Sequence, residues 1–193
     1  MARRTFSIGG VHPNDAKISR DCKIETLPTP PTVYIAVAQH IGAPAKPVVA
    51  VGDRVKAGQV IAEPGGFMSA YIHSSVSGTV KSIGPRKDLS GNNQMVVEIA
   101  VEGDEWMEGI DRTDTLITEI PQDPKAIIEK IKLGGVVGLG GATFPTHVKL
   151  NPKNLDECKY LVVNAAECEP FITTDNREMV ENGQDVLDGM MMI

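Results

Sequence analysis

Residues 138–149 read Gly-Leu-Gly-Gly-Ala-Thr-Phe-Pro-Thr-His-Val-Lys, which sets three glycines ahead of a lysine. Gly138, Gly140 and Gly141 let the backbone approach a ligand without interference from a side chain. Successive exposed N–H groups, those around Ala142 included, make an anion-binding concavity, and Lys149 adds a mobile positive charge. The second segment of interest is Asn-Ala-Ala-Glu-Cys-Glu-Pro at 164–170, preceded by the apolar run Tyr160 to Val163. That run reads as a buried parallel strand. It would place Asn164, Glu167 and Glu169 at the strand's carboxyl end, where open α/β sheets bind ligands. A phosphate cradle beside a carboxylate-lined strand end is the chemistry of a nucleotide or flavin site. On residues alone the alternative is a tight structural turn. The loop is neither a Walker loop nor a Gly-x-Gly-x-x-Gly fingerprint, because Thr143 stands where the last glycine belongs.

Other groups carry two readings each. Lys149 neutralises a phosphate or is a surface lysine; Phe144 stacks on a cofactor ring or anchors its loop. Glu167 and Glu169 alternate along an extended segment, so they face opposite sides and only one reaches a ring directly. Cys168 is flanked by carboxylates that disfavour its thiolate, and it reads as a small packing residue. His147 is a loop histidine with no evident carboxylate to orient it. His12, His40 and His73 show no metal-ligand spacing, and no metal site is expected.

The chain has 193 residues and a net charge of −6. Residues 1–150 hold 16 basic and 16 acidic side chains, whereas residues 151–193 hold 3 and 9, so the whole imbalance lies at the carboxyl end. Such a distribution offers no electrostatic footprint for nucleic acid. Cys22, Cys158 and Cys168 form no Cys-x-x-Cys pair, which suits a reducing compartment. No apolar run approaches the length of a membrane span.

The elements that must position these residues fall into three regions. Residues 1–31 read as an extended arm rich in Pro, Gly and charge. Residues 32–103 have β texture, with strand candidates at Val33 to Ala38, Val48 to Val51, Gln59 to Glu63, Gly78 to Ile83 and Met95 to Val101. Their spacing suits a small barrel or sandwich. Residues 103–120 turn acidic and aperiodic, marking a boundary. From 120 to 193 a second domain begins with a helix capped by Asp123, with Pro124 at its first position, and stopped by Gly134-Gly135. A final helix is expected from Asp175, with Glu178 as a capping-box partner and Met179, Val180, Val186, Leu187, Met190 and Met191 as its apolar stripe. One strand cannot make a sheet, and the apolar carboxyl end would be uncovered. The expectation is therefore a truncated domain of a longer protein.

Val51-Gly-Asp-Arg-Val-Lys-Ala-Gly-Gln-Val-Ile-Ala-Glu63 with Ser75-Val-Ser-Gly-Thr-Val-Lys81 is similar to lipoyl and biotinyl carrier domains. The connecting residues Pro64 to Ser74 contain no lysine, so the likeness is one of fold, without an attachment amine. The glycine string through Leu150, with Asn-Ala-Ala-Glu-Cys-Glu-Pro-Phe-Ile-Thr at 164–173, resembles the RnfC family, a component of the Rnf electron transport complex. Thr5-Phe6, Gly9-Gly10 and Val11-His12-Pro13 extend that resemblance to the opening residues. More distantly the string is similar to the flavoprotein subunit of respiratory complex I, which has Asp at Ala166, Gly at Thr143 and His147, and Arg at Leu139.

The resemblance implies a fold of two parts. An N-terminal barrel-sandwich-hybrid β domain precedes the first part of a Rossmann-like FMN- and NADH-binding α/β domain, giving α/β plus all-β overall. It implies an oxidoreductase subunit that binds FMN and NAD(H) and passes electrons to two 4Fe-4S clusters, whose ligands this chain lacks. Gly138, Gly140, Gly141, Ala142, Phe144, Lys149, Asn164, Glu167 and Glu169 are the implied cofactor residues, with Glu167 beside the reacting ring. The implied partners are other subunits of the ion-translocating membrane complex, NADH and ferredoxin-like carriers, at the cytoplasmic side of the bacterial inner membrane. The alternatives are a cobalamin-reductase-like flavoprotein of microcompartments and a non-catalytic docking fragment.

Overall fold

Thr32–Ala36 (β1), Asn93–Val101 (β7) and Gly78–Lys87 (β6) lie side by side, and Arg54–Val55 (β3) extends the sheet. Lys46–Pro47 (β2), Val60–Glu63 (β4) and Ile72–His73 (β5) form a second, three-stranded antiparallel sheet. These come from a computed structural model that describes residues 13–113, 123–139 and 141–193. Gly140 and the expected motif residues Thr5 to His12 lie outside the described residues, as does the later part of the boundary stretch, 114–120. Two compact units are distinguished: residues 27–159, and residues 13–26 together with Tyr160–Ile193.

In the larger unit β7 is the central ladder. It pairs antiparallel with β1 from Thr32↔Ala100 to Ala36↔Val96, and with β6 along its whole length. A register irregularity between Val80 and Ser82 bends β6 there. β-Branched residues alternate inward, so Ile35, Val37, Val55, Ile61, Ile72, Val80, Val97 and Ile99 fill one core. Ile61, Val80, Val97 and Ile99 are wholly enclosed. Each contributes about 1.5–3 kcal/mol through burial. This two-sheet arrangement is the expected barrel-sandwich hybrid. The expected strand at Val48 to Val51 forms no ladder, and β2, β3 and β5 appear where the sequence pattern predicts none.

Helix α1 (Pro124–Leu133) starts and stops where the sequence says. The Asp123 carboxylate accepts from the Lys125 N–H at 3.1 Å. Gly135 ends the helix at φ +66°, with Val136 N–H reaching Ile131 O and Gly135 N–H reaching Lys132 O. This paired closure satisfies the last carbonyls of the helix. Ile127, Ile128 and Ile131 are half-buried, and the helix packs against the short α2 (Thr146–Lys149). Glu63, Pro64, Phe67 and Tyr71 line a cleft of about 470 Å³ with Ile128, Lys132, His147 and Asn151.

In the smaller unit the expected strand is corrected. Residues 160–163 belong to no ladder, and Tyr160 and Val162 are 89% and 84% exposed. The run is apolar enough for a buried strand, but no strand among the described residues pairs with it. The final helix is also corrected, because it is two: α3 (Thr174–Glu181) and α4 (Gly183–Met191), broken at Asn182. Neither holds a buried residue, and Val180, Leu187 and Met191 of the expected stripe are exposed. No described helix is long and apolar enough to cross a membrane.

Candidate functional site

The glycine string folds as a tight hairpin leading into α2. Gly138 N–H donates to Phe144 O at 2.9 Å, Thr146 N–H donates to Val136 O at 3.0 Å, and Val137 bridges Pro145 antiparallel. Pro145 is fully enclosed and anchors the returning arm. The expected role of Gly138 is therefore narrowed: its amide shapes the hairpin and is not open to an anion. The tip behaves differently. The N–H groups of Gly141, Ala142 and Thr143 make no hydrogen bond to another described residue. Gly141 and Ala142 are exposed, and Leu139 is 91% exposed.

Backbone strain at this tip falls on Thr143, because a glycine adopts positive φ freely. Gly141 has φ +85° and Thr143 has φ +48°. A β-branched residue in the left-handed region costs on the order of 1–3 kcal/mol and is held there by its surroundings. The Thr143 hydroxyl donates to Ala142 O at 2.8 Å, one local compensation. Phe144 is half-buried. Lys149 closes α2, is exposed, and forms no ion pair among the described residues. The structure thus groups Gly138, Gly141, Ala142, Phe144 and Lys149 in one hairpin and its following turn of helix.

His147, expected as a loop histidine, lies inside. It is 9% exposed, and its Nδ1 has no hydrogen-bond partner among the described residues. Burial, and then the Lys132 ammonium, push its pKa below the ordinary histidine value. His73 is lowered too, chiefly by burial, with a hydrogen bond to the Leu133 backbone opposing. Both groups take up protons more readily in the unfolded chain. The stability they contribute is complete above pH 6.5, the ordinary value, and declines as pH falls below it. The melting temperature should therefore drop between pH 7.5 and 5.5, and drop less in His147→Gln. Equal drops in the two proteins would remove His147 from this dependence.

Asn164, Glu167 and Glu169 belong to the other unit. Asn164 Oδ1 accepts from Ala166 N–H at 3.0 Å, an Asx-type turn. Glu167 is half-buried and its Oε1 accepts from Asn176 N–H at 3.1 Å, so its carboxylate caps α3. The expected capping box is thereby corrected. The helix begins at Thr174, so Asp175 lies inside it, and Glu178 Oε1 accepts from the Asn182 side-chain amide. Glu169 is exposed, as is Cys168. Phe171 sits at φ +69°. No group of three or more His, Cys, Asp or Glu side chains among the described residues is placed to hold a metal.

The larger unit therefore offers exposed amides and a free cation, and the smaller one offers carboxylates on a structured loop. Residues 5–105 match the RnfC barrel sandwich hybrid domain, and residues 131–193 match the Nuo51 FMN-binding domain. The chain is 44% identical over 187 residues to the C subunit of the proton-translocating ferredoxin:NAD(+) oxidoreductase complex of Clostridium ljungdahlii, covering 96% of this chain and 40% of that one. It is 39% identical to the Na(+)-translocating counterpart of Acetobacterium woodii, covering 95% and 41%. Against the C subunit of the ion-translocating oxidoreductase complex of Rhodobacter capsulatus the identity is 38%, covering 97% and 36%. The chain spans about two fifths of the length of these curated relatives. With residues 5–105 matching the RnfC barrel sandwich hybrid domain, more than half of its length, this chain belongs to the RnfC family.

Proposed function

We propose that this chain carries part of an FMN site through which an Rnf-type membrane complex exchanges electrons with NAD(H). The observation that carries the reading is the hairpin tip, where the N–H groups of Gly141, Ala142 and Thr143, without partners among the described residues, stand ahead of a lysine that forms no ion pair among them, within the FMN-domain match. FMN, when bound, supplies the hydride and single-electron chemistry, and the protein supplies position and field. The amides of Gly141, Ala142 and Thr143, with Gly140, donate to its phosphate. Lys149 opposes the phosphate charge, with contributions of about 0.3–2 kcal/mol if helix-terminus values apply. Gly138 and Phe144 hold the hairpin in shape. Asn164, Glu167 and Glu169 would supply polar partners for the ring and ribose, and Glu167 would disfavour added negative charge on the reduced ring.

The same reading assigns residues 1–31 to an arm, 32–103 to the barrel-sandwich module and 120–193 to the flavin domain. Electrons pass to 4Fe-4S clusters bound outside this chain and are exchanged with ferredoxin-like carriers. The partners are the other subunits of the complex, at the cytoplasmic side of the inner membrane.

A visible spectrum of the intact gene product, titrated with FMN and then with NADH, tests the reading. The expected result is a flavin that binds and bleaches with NADH. Lys149→Ala is expected to weaken FMN binding roughly tenfold, the loss of one charge-assisted contact. A colourless protein that takes up no FMN overturns the reading.

A further inference from the structure

In the unit of residues 13–26 and 160–193, the arm is tied to the acidic loop by a series of bonds that span the sequence. Lys17 Nζ donates to Glu169 O at 2.8 Å and to Ile172 O at 2.7 Å. Phe171 N–H donates to Asp15 O at 2.8 Å, which holds Phe171 in its left-handed conformation. The Ser19 and Thr173 hydroxyls meet at 2.8 Å, and Arg177 donates to Arg20 O at 3.1 Å. Ile24 N–H donates to the Glu181 carboxylate at 3.1 and 3.3 Å.

Lys17 differs from the rest of this series. Its ammonium gathers two carbonyls that flank Pro170 and Phe171, closing residues 169–172 into one turn. An ammonium has three donors and no acceptor, so it can hold both carbonyls at once. On the other side of Cys168 the Glu167 carboxylate is pinned to the start of α3. The loop is thereby fixed at both ends: by its own helix after Glu167 and by the arm after Glu169.

We propose that Lys17 is a positioning residue for the flavin site, setting where the Glu167 and Glu169 carboxylates stand. The proposal rests on the reading that this loop belongs to an FMN site. Among the described residues Lys17 hydrogen-bonds to backbone carbonyls alone, so it acts through the loop. Its ammonium also sets a positive charge at the Glu169 carbonyl, so its loss changes the field as well as the geometry.

The test uses the intact gene product with Lys17→Met and Lys17→Arg. Wild type is titrated with FMN first, and failure to bind sinks the parent reading without reference to Lys17. Where wild type binds, Lys17→Met is expected to weaken FMN roughly tenfold or more and to shift the flavin midpoint potential. Amide exchange at Phe171 should rise in the same variant before any FMN is added. Lys17→Arg, which can bridge the same carbonyls, should restore most of all three. Faster exchange with unchanged affinity and potential would make Lys17 structural only and overturn the proposal, and so would no change at all. Should Lys17→Met fail to fold, Lys17→Gln keeps amide donors and drops the charge. It must then show the shifted potential, and an unshifted value overturns the proposal equally.

Discussion

Gly135→Ala is expected to destabilise the unit of residues 27–159 by about 3 kcal/mol. Two costs act at this position. The residue holds φ +66°, where an alanine costs roughly 1–2 kcal/mol. A Cβ there would also lie 2.3 Å from Tyr71 O, a backbone atom of the barrel that cannot swing aside. Relieving such overpacking typically costs about 1–3 kcal/mol. The neighbouring Gly134 is the control, because it is right-handed at φ −69° and its Cβ would come no closer than 3.3 Å, to Lys130 O. Gly134→Ala should therefore change stability little. Urea denaturation of both variants measures the difference, and equal midpoints would refute the assignment. Gly135 lies one residue before the hairpin arm that begins at Val136. Under the FMN reading, Gly135→Ala should also weaken FMN binding, whereas Gly134→Ala should not.

The parts of the fold legible in the sequence are those governed by local chemistry. Asp123, Pro124 and Gly134-Gly135 bracket α1 because capping and termination depend on neighbours within a few residues. The long strands β6 and β7 carry enough alternation to be seen. β2, β3 and β5 are two residues each and carry no period at all. The run Tyr160 to Val163 shows the limit of composition as a guide. Its apolar residues suit a buried strand, yet a strand exists only where a neighbour completes its ladder. Pairing hides other facts as well. That Gly138 spends its amide on Phe144 depends on which residues face each other across the hairpin. That Lys17 grips the acidic loop is a contact across 152 positions of sequence, beyond any local window. The glycine cluster and the alternating glutamates are visible as residue types; which atoms they leave free for a ligand is not.

Glu167 is where those two levels meet, since it is both a helix cap in the structure and the proposed ring-facing carboxylate. Two substitutions separate the roles. Glu167→Ala removes the acceptor for Asn176 N–H and should cost about 1 kcal/mol of stability at α3. Glu167→Gln keeps an oxygen for that bond and loses only the charge, worth about 0.3–1 kcal/mol at a helix start. A negative charge roughly 5 Å from the ring would interact with added electron density by about 3 kcal/mol at an effective dielectric near 20. Removing it should raise the flavin midpoint potential by roughly 30–70 mV on a two-electron couple, and by similar amounts in both variants. The signature is thus a potential shift shared by the two proteins beside a stability loss larger in the alanine. If the potential stays put in both while the alanine alone frays α3, the carboxylate serves the helix and a different group faces the ring. Glu169 is then the next to substitute, because it is exposed on the same loop and makes no side-chain bond among the described residues.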